Sequence, residues 1–244
     1  MEIFKSWLVD KYIAHRGFHN YIDAPENSLK AFQNVIDLGY AIELDVQVLS
    51  DGTIVVFHDS SLKRMTNKDG YIKNLRKENL KDIKLLNSDQ TIPTLQEVLE
   101  LVNGKTPLLI EVKNTNKVGY LEQNLIQILK KYNGEFAVQS FNPYSLEYIK
   151  KHAPEMTRGQ LSSYFKSNSE ISFIKKYFLK RMIFNKRVSC PHFISYKAED
   201  LPNRYVKQYQ KLPVLAWTVK SQQQYEKIAK HCDNIIFEGF EPTI

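Results

Sequence analysis

Glu43 and Asp45 stand two apart in the run Tyr40-Ala41-Ile42-Glu43-Leu44-Asp45-Val46. Side chains two apart on a strand share a face, so these carboxylates point the same way. A second apolar run, Leu108 to Val112, closes on an acid and a base, Glu111 and Lys113. Tyr12-Ile13-Ala14 closes on His15-Arg16-Gly17, Val55-Val56-Phe57 on His58-Asp59, and Val214-Leu215-Ala216 on Trp217. Glu43, Asp45 and Glu111 would make a hard oxygen set without thiolate, suited to Mg²⁺, Ca²⁺ or Mn²⁺. Arg16 and Lys113 would supply positive charge for a phosphate group. His15 and His58 supply two imidazoles, the side-chain type best suited to act as general acid and base. A plainer alternative exists for the first pair. Ile42, Leu44, Val46 and Val48 alternate with Glu43, Asp45 and Gln47, as on any half-exposed strand. The arrival of polar residues at several strand ends weighs against it. A glycosidase-type carboxylate pair would explain the acids but leave two histidines, a Lys and an Arg without tasks.

The elements that must position these groups alternate. Candidate strands are Tyr12 to His15, Tyr40 to Asp45, Leu108 to Val112 and Phe136 to Gln139. Thr157 to Leu161, Phe193 to Ser195, Val214 to Thr218 and Asn234 to Phe237 complete the set. Between them lie helical patterns. Ser28 to Leu38 carries Leu29, Phe32, Val35 and Ile36 at helical spacing. Thr94-Leu95-Gln96-Glu97 reads as a capping box, and Asn142-Pro143 as a helix start with Pro at its first position. About eight strands alternating with helices predict a (β/α)8 TIM barrel, whose active site gathers at the C-terminal strand ends. Asp51-Gly52 reads as a hairpin turn, and residues 60–90 as a polar, Lys-rich insertion after the second strand region.

Composition sets the bounds. The 244 residues suit one barrel of ~250 residues, so residues 1–244 are read as a single domain. A net charge of +7 favours anionic ligands without choosing among them. Cys190 and Cys232 stand far apart, which argues against a disulfide scaffold or thiolate site. Charges at Glu2, Lys5, Asp10 and Lys11 leave no room for a secretory signal, and no apolar run is long enough to span a membrane. A cytoplasmic location is expected.

The order His15-Arg16, Glu43-x-Asp45, His58 resembles the signature of glycerophosphodiester phosphodiesterases. Further blocks agree in order: Ala24-Pro25-Glu26-Asn27-Ser28, Phe57-His58-Asp59, Ile92-Pro93-Thr94-Leu95, Glu111-Val112-Lys113, Gln139-Ser140-Phe141 and Ala216-Trp217-Thr218-Val219. The resemblance runs from residue 11 to about 237. It implies that Glu43, Asp45 and Glu111 hold a divalent metal ion and that His15 and His58 form the acid–base pair. It also implies that Arg16 and Lys113 contact phosphate, and that Trp217 lines the substrate pocket. Gln139 and Phe141 carry over more weakly. Two departures stand out. Asn27-Ser28 replaces the usual Asn-Thr, and Ile236-Phe237-Glu238 ends the last strand where the family has Thr-Asp followed by Pro. The implied reaction is hydrolysis of glycerophosphodiesters to glycerol 3-phosphate and an alcohol, through a cyclic phosphate. Lysophospholipase D action on lipid-sized diesters is the runner-up, and a catalytically idle binding module the reading from another class.

Residues 171–190 contain no acid, while Lys175, Lys176, Lys180, Arg181, Lys186 and Arg187 interleave with large apolar side chains. Two readings stay open: an outer barrel helix with its apolar stripe inward, or a basic amphipathic segment in peripheral contact with an anionic membrane. A nucleic-acid partner is not expected.

Overall fold

The computed structural model describes residues 6–20, 22–86, 88–114, 117–166, 172–209 and 211–243. Strands β1 (Ile13–Ala14), β2 (Ala41–Val48), β3 (Ile54–Val56), β4 (Leu108–Val112) and β5 (Phe136–Ser140) come first in the chain. They are followed by β6 (Arg158–Ser162), β7 (Phe193–Lys197), β8 (Val214–Val219) and β9 (Asn234–Phe237). The chain divides into two compact units, Ala14–Phe136 and the residues up to Ile13 together with those from Ala137 onward. In the first, β4 and β3 flank β2, with β4 parallel and β3 antiparallel to it. In the second, β5 to β9 lie side by side in chain order and parallel. This alternation is that of the predicted (β/α)8 barrel, with the β2–β3 hairpin added.

Local chemistry explains where the helices start and stop. Ser28 caps helix Leu29–Leu38 by accepting from the Ala31 amide, and Gly39, at φ +76°, closes it in the left-handed conformation. Phe32 and Val35 are its buried stripe. In helix Leu95–Val102 the Glu97 amide donates to Thr94 Oγ1, while the Thr94 amide donates to Glu97 Oε2 at 2.8 Å, the predicted capping box. Asn142 Oδ1 accepts from the Tyr144 amide ahead of helix Pro143–His152.

Asp51-Gly52 does turn the hairpin: Val46 faces Val56, and Gly52 sits at φ +90°. The insertion forms only one short α-helix, Lys63–Thr66, and two 3₁₀ turns among the described residues. Its cohesion comes from a local apolar cluster that includes Leu62, Met65, Ile72, Leu80 and Ile83. Scattered apolar residues brought together by turns leave no helical or strand period, which is why the segment looked polar and aperiodic.

Candidate active site

All eight residues of β2 except Val48 are buried, and Glu43 and Asp45 are each 1% exposed. A half-exposed strand is thereby excluded. The carboxylates lie in the interior, where a charge needs partners. Parallel pairing of β2 with β4 sets Asp45 opposite Glu111, so those two side chains emerge side by side on one face. Glu43 precedes Asp45 on that face, and Lys113 follows Glu111. Glu43, Asp45 and Glu111 each offer an oxygen within 4.8 Å of the others.

Two cations compensate part of this charge. Lys113 Nζ lies 2.7 Å from Glu111 Oε1 and 3.2 Å from Asp45 Oδ1. Arg16 Nε lies 3.3 Å from Asp45 Oδ2, and the Arg16 amide donates to Glu43 Oε2 at 3.0 Å. Arg16 holds φ at +56°, a conformation uncommon for a residue with a Cβ, which turns its amide toward the carboxylates. Burial alone would raise the Asp45 pKa, but Lys113 and Arg16, then His58 and His15, hold it well below the usual carboxylate range. Glu43 goes the other way. Burial, together with the charges of Asp45 and Glu111, pushes it well up.

Three carboxylates share this buried space with two cations, and the raised pKa of Glu43 reports how closely they crowd. Asp45 Oδ1 is buried and accepts no hydrogen bond among the described residues, touching Lys113 as an ion pair. A divalent cation fits this oxygen set: it would relieve the crowding around Glu43 and give Asp45 Oδ1 a partner beyond its ion pair with Lys113.

Several partners of these groups had no role assigned from sequence, although Glu26, Asn27 and Asp59 stand within the blocks that carry the family resemblance. Asn27 Nδ2 donates to Asp45 Oδ2 at 2.9 Å, and Asn27 Oδ1 accepts from the Asp45 amide. Gln47, next on the carboxylate face, donates to the carbonyls of Phe57, His58 and Asp59, at 2.8 to 3.1 Å, and so fixes the backbone that carries His58. Nδ1 of His58 lies 2.6 Å from Asp59 Oδ1. Arg64, on the short insertion helix, forks between Asp59 (Nε to Oδ2, 2.6 Å) and Glu26 (Nη1 to Oε2, 2.7 Å). Glu26 in turn accepts from Arg16 Nη1 at 2.7 Å. Burial opposes ionisation of Glu26, yet Arg64 and Arg16 push it down to about 2. A chain of polar contacts therefore runs His58, Asp59, Arg64, Glu26, Arg16, Asp45.

A model of the glycerophosphoryl diester phosphodiesterase family matches residues 15–238. The chain belongs to that family. Among its relatives, a glycerophosphodiester phosphodiesterase of Caldanaerobacter subterraneus subsp. tengcongensis is 41% identical over 61% of the chain. One of Bacillus altitudinis is 35% identical over 60%. The chain covers just under two thirds of these relatives' own lengths, 65% and 64%. A human lysophospholipase D is 32% identical over 54% of the chain and 44% of its own length. Among solved structures, an Oleispira antarctica phosphodiesterase in complex with the product sn-glycerol-3-phosphate superposes with a TM-score of 0.77. It covers 93% of this chain and 92% of its own, at 24% identity. A Thermotoga maritima glycerophosphodiester phosphodiesterase gives 0.70 at 25% identity, covering 93% of each chain. The (β/α)8 fold extends over nearly the whole chain.

Of the family positions read from sequence, the unit Ala14–Phe136 brings together Arg16, Glu43, Asp45, Glu111 and Lys113. His15 and His58 are near enough to depress the Asp45 pKa. Trp217 lies in the other unit, on β8. Strand register puts it on one face with Gln139, Ser195 and Lys197, opposite the face where Ile194 and Tyr196 pack on Met182. Its ring meets Phe141 edge-on at 5.5 Å. Its Nε1, like Ser195 Oγ and Gln139 Oε1, is buried without a hydrogen-bond partner among the described residues. Glu238, the departure at the last strand, pairs with Lys220 at 3.0 Å.

Proposed function

We propose that the protein hydrolyses glycerophosphodiesters, releasing glycerol 3-phosphate and an alcohol. The observation that carries this reading is the buried trio Glu43, Asp45 and Glu111, bordered by Arg16 and Lys113 and neighboured by two histidines. Family membership and the sn-glycerol-3-phosphate held by the Oleispira structure support it. Glu43, Asp45 and Glu111 would hold the divalent ion, Mg²⁺, Ca²⁺ or Mn²⁺, which when bound supplies positive charge to phosphate oxygens.

Arg16 and Lys113 bind the phosphate and offset the charge that builds on its oxygens as the diester is attacked. One of His15 and His58 takes the proton from the glycerol 2-hydroxyl, whose oxygen then bonds to phosphorus. The other gives a proton to the alcohol oxygen as its bond to phosphorus breaks, which leaves a cyclic phosphate. Water opens the ring with the proton roles reversed. Trp217 contributes an apolar ring and an indole N–H that has no hydrogen-bond partner among the described residues, which suits a ligand with both carbon and hydroxyl groups. Free Cys190 and Cys232 agree with a cytoplasmic setting.

Lysophospholipase D action is the second reading, favoured by the exposed Phe173 and Ile174. Purified protein supplied with a divalent ion should release choline and glycerol 3-phosphate from glycerophosphocholine. Turnover of lysophosphatidylcholine alone would select the second reading, and turnover of neither diester would overturn both. A glycerophosphocholine analogue lacking the 2-hydroxyl should resist cleavage. Its hydrolysis at the normal rate would remove the cyclic step.

A further inference from the structure

Helix Phe173–Lys180 buries none of its residues. Phe173 is 82% exposed and Ile174 70%, with Tyr177 and Phe178 also open to water. At 100° per residue these four side chains fall within an arc of about 140°, so they form one continuous apolar stripe. The inward stripe of an outer barrel helix would be covered. This one faces solvent.

The far end of the helix is held firmly. Ser162 Oγ donates to the Leu179 carbonyl at 3.0 Å, and Tyr196 Oη donates to the Lys180 carbonyl at 3.0 Å. Tyr209 Oη donates to the carbonyl of Met182, whose own side chain is buried in a cluster with Ile194 and Tyr196. The stripe is thus presented from an anchored base. Lys175 and Lys176 follow Ile174 and lie on either side of the stripe, with Lys180, Arg181, Lys186 and Arg187 close behind in sequence and no acid before Cys190. Long basic side chains beside an apolar stripe can bury their stems while their charges meet phosphate groups.

We propose that this segment docks the protein on an anionic lipid surface, with Phe173 and Ile174 entering the acyl boundary and the flanking lysines meeting the headgroups. Charge complementarity selects the partner, and the overall +7 charge adds attraction to such a surface. A nucleic-acid partner would satisfy the lysines but would leave the aliphatic Ile174 and Ile183, which cannot stack on bases as aromatic rings do, without a role. The inference does not depend on the hydrolytic reading.

The test is sedimentation of the full chain with vesicles of phosphatidylcholine, with or without added phosphatidylglycerol. Binding should appear with the anionic vesicles and weaken as salt rises. Phe173→Ser with Ile174→Ser should lower the partition coefficient by ~10-fold or more, and Lys175→Gln with Lys176→Gln should remove the preference for anionic lipid. Because these side chains are exposed, the melting temperature should stay unchanged, which separates lost docking from lost folding. Three results would overturn the proposal: no partition into anionic vesicles, equal partition by the Phe173/Ile174 variant, or tighter binding to polyuridylate than to vesicles. Self-association that disappears in that variant while vesicles remain unbound would assign the stripe to a second copy of the chain instead.

Discussion

Asp59 Oδ1 lies 2.6 Å from Nδ1 of His58, and Arg64 grips the same carboxylate through Nε and Nη2. An ionised carboxylate on Nδ1 places the ring proton there and leaves Nε2 as the nitrogen for proton exchange. Asp59→Asn keeps the shape and removes the charge. It should lower kcat by about 10- to 100-fold with little change in KM. Steady-state kinetics on glycerophosphocholine would check this, and a kcat near that of the parent would deny Asp59 an orienting role.

Arg64 touches neither the carboxylate trio nor any position assigned to catalysis, yet it links the partners of His58 and Arg16. Arg64→Gln should therefore lower activity although the residue belongs to the insertion. Combined with Asp59→Asn, its effect should be less than the sum of the two, because both remove one network. Full additivity in this double-mutant cycle would show that the two residues act separately.

Glu26 gives the fold an acid-sensitive joint. Its folded pKa of about 2 lies below the ordinary value of 4.5, so its contribution to stability is complete above pH 4.5 and is lost as pH falls toward 2. The shift corresponds to about 3 kcal/mol. Urea unfolding at pH 7 and pH 3 should show a smaller acid loss in Glu26→Gln than in the parent. That variant should also be less stable at pH 7, since Arg16 and Arg64 lose their shared carboxylate. Equal acid losses would mean that Glu26 does not set this limb.

Divalent ion binding can be followed without turnover. A ligand at about 100 times its Kd stabilises the folded state by about 2.7 kcal/mol. Ca²⁺, Mg²⁺ or Mn²⁺ should raise the melting temperature of the parent by several degrees. Asp45→Asn and Glu111→Gln should abolish that rise. An undiminished rise in both variants would place the ion elsewhere.

His15→Ala and His58→Ala should each lower kcat by ~10²-fold or more. Near-normal turnover by either variant would remove that histidine from the acid–base pair. Circular dichroism would confirm that the fold persists.

Much of the molecule is legible in local sequence. The positions of all eight barrel strands, the Thr94 and Asn142 caps and the Asp51-Gly52 hairpin follow from periodicities and side-chain chemistry that act over a few residues. So does the shared face of Glu43 and Asp45, because a strand has a period of two. The residue types at the strand ends then name the chemistry. Tertiary structure decided what those local rules cannot reach. Burial of β2 on both faces depends on its neighbours, and so the same alternation that fits a half-exposed strand turned out to lie inside. The register that sets Asp45 beside Glu111 is a contact between distant strands. The clamp of Arg64 on Glu26 joins residues 38 positions apart, with no period or motif to announce it. The solvent-facing stripe of Phe173 and Ile174 is the same lesson reversed. An amphipathic pattern says that a helix has an apolar side, and only the packed fold says whether protein covers it.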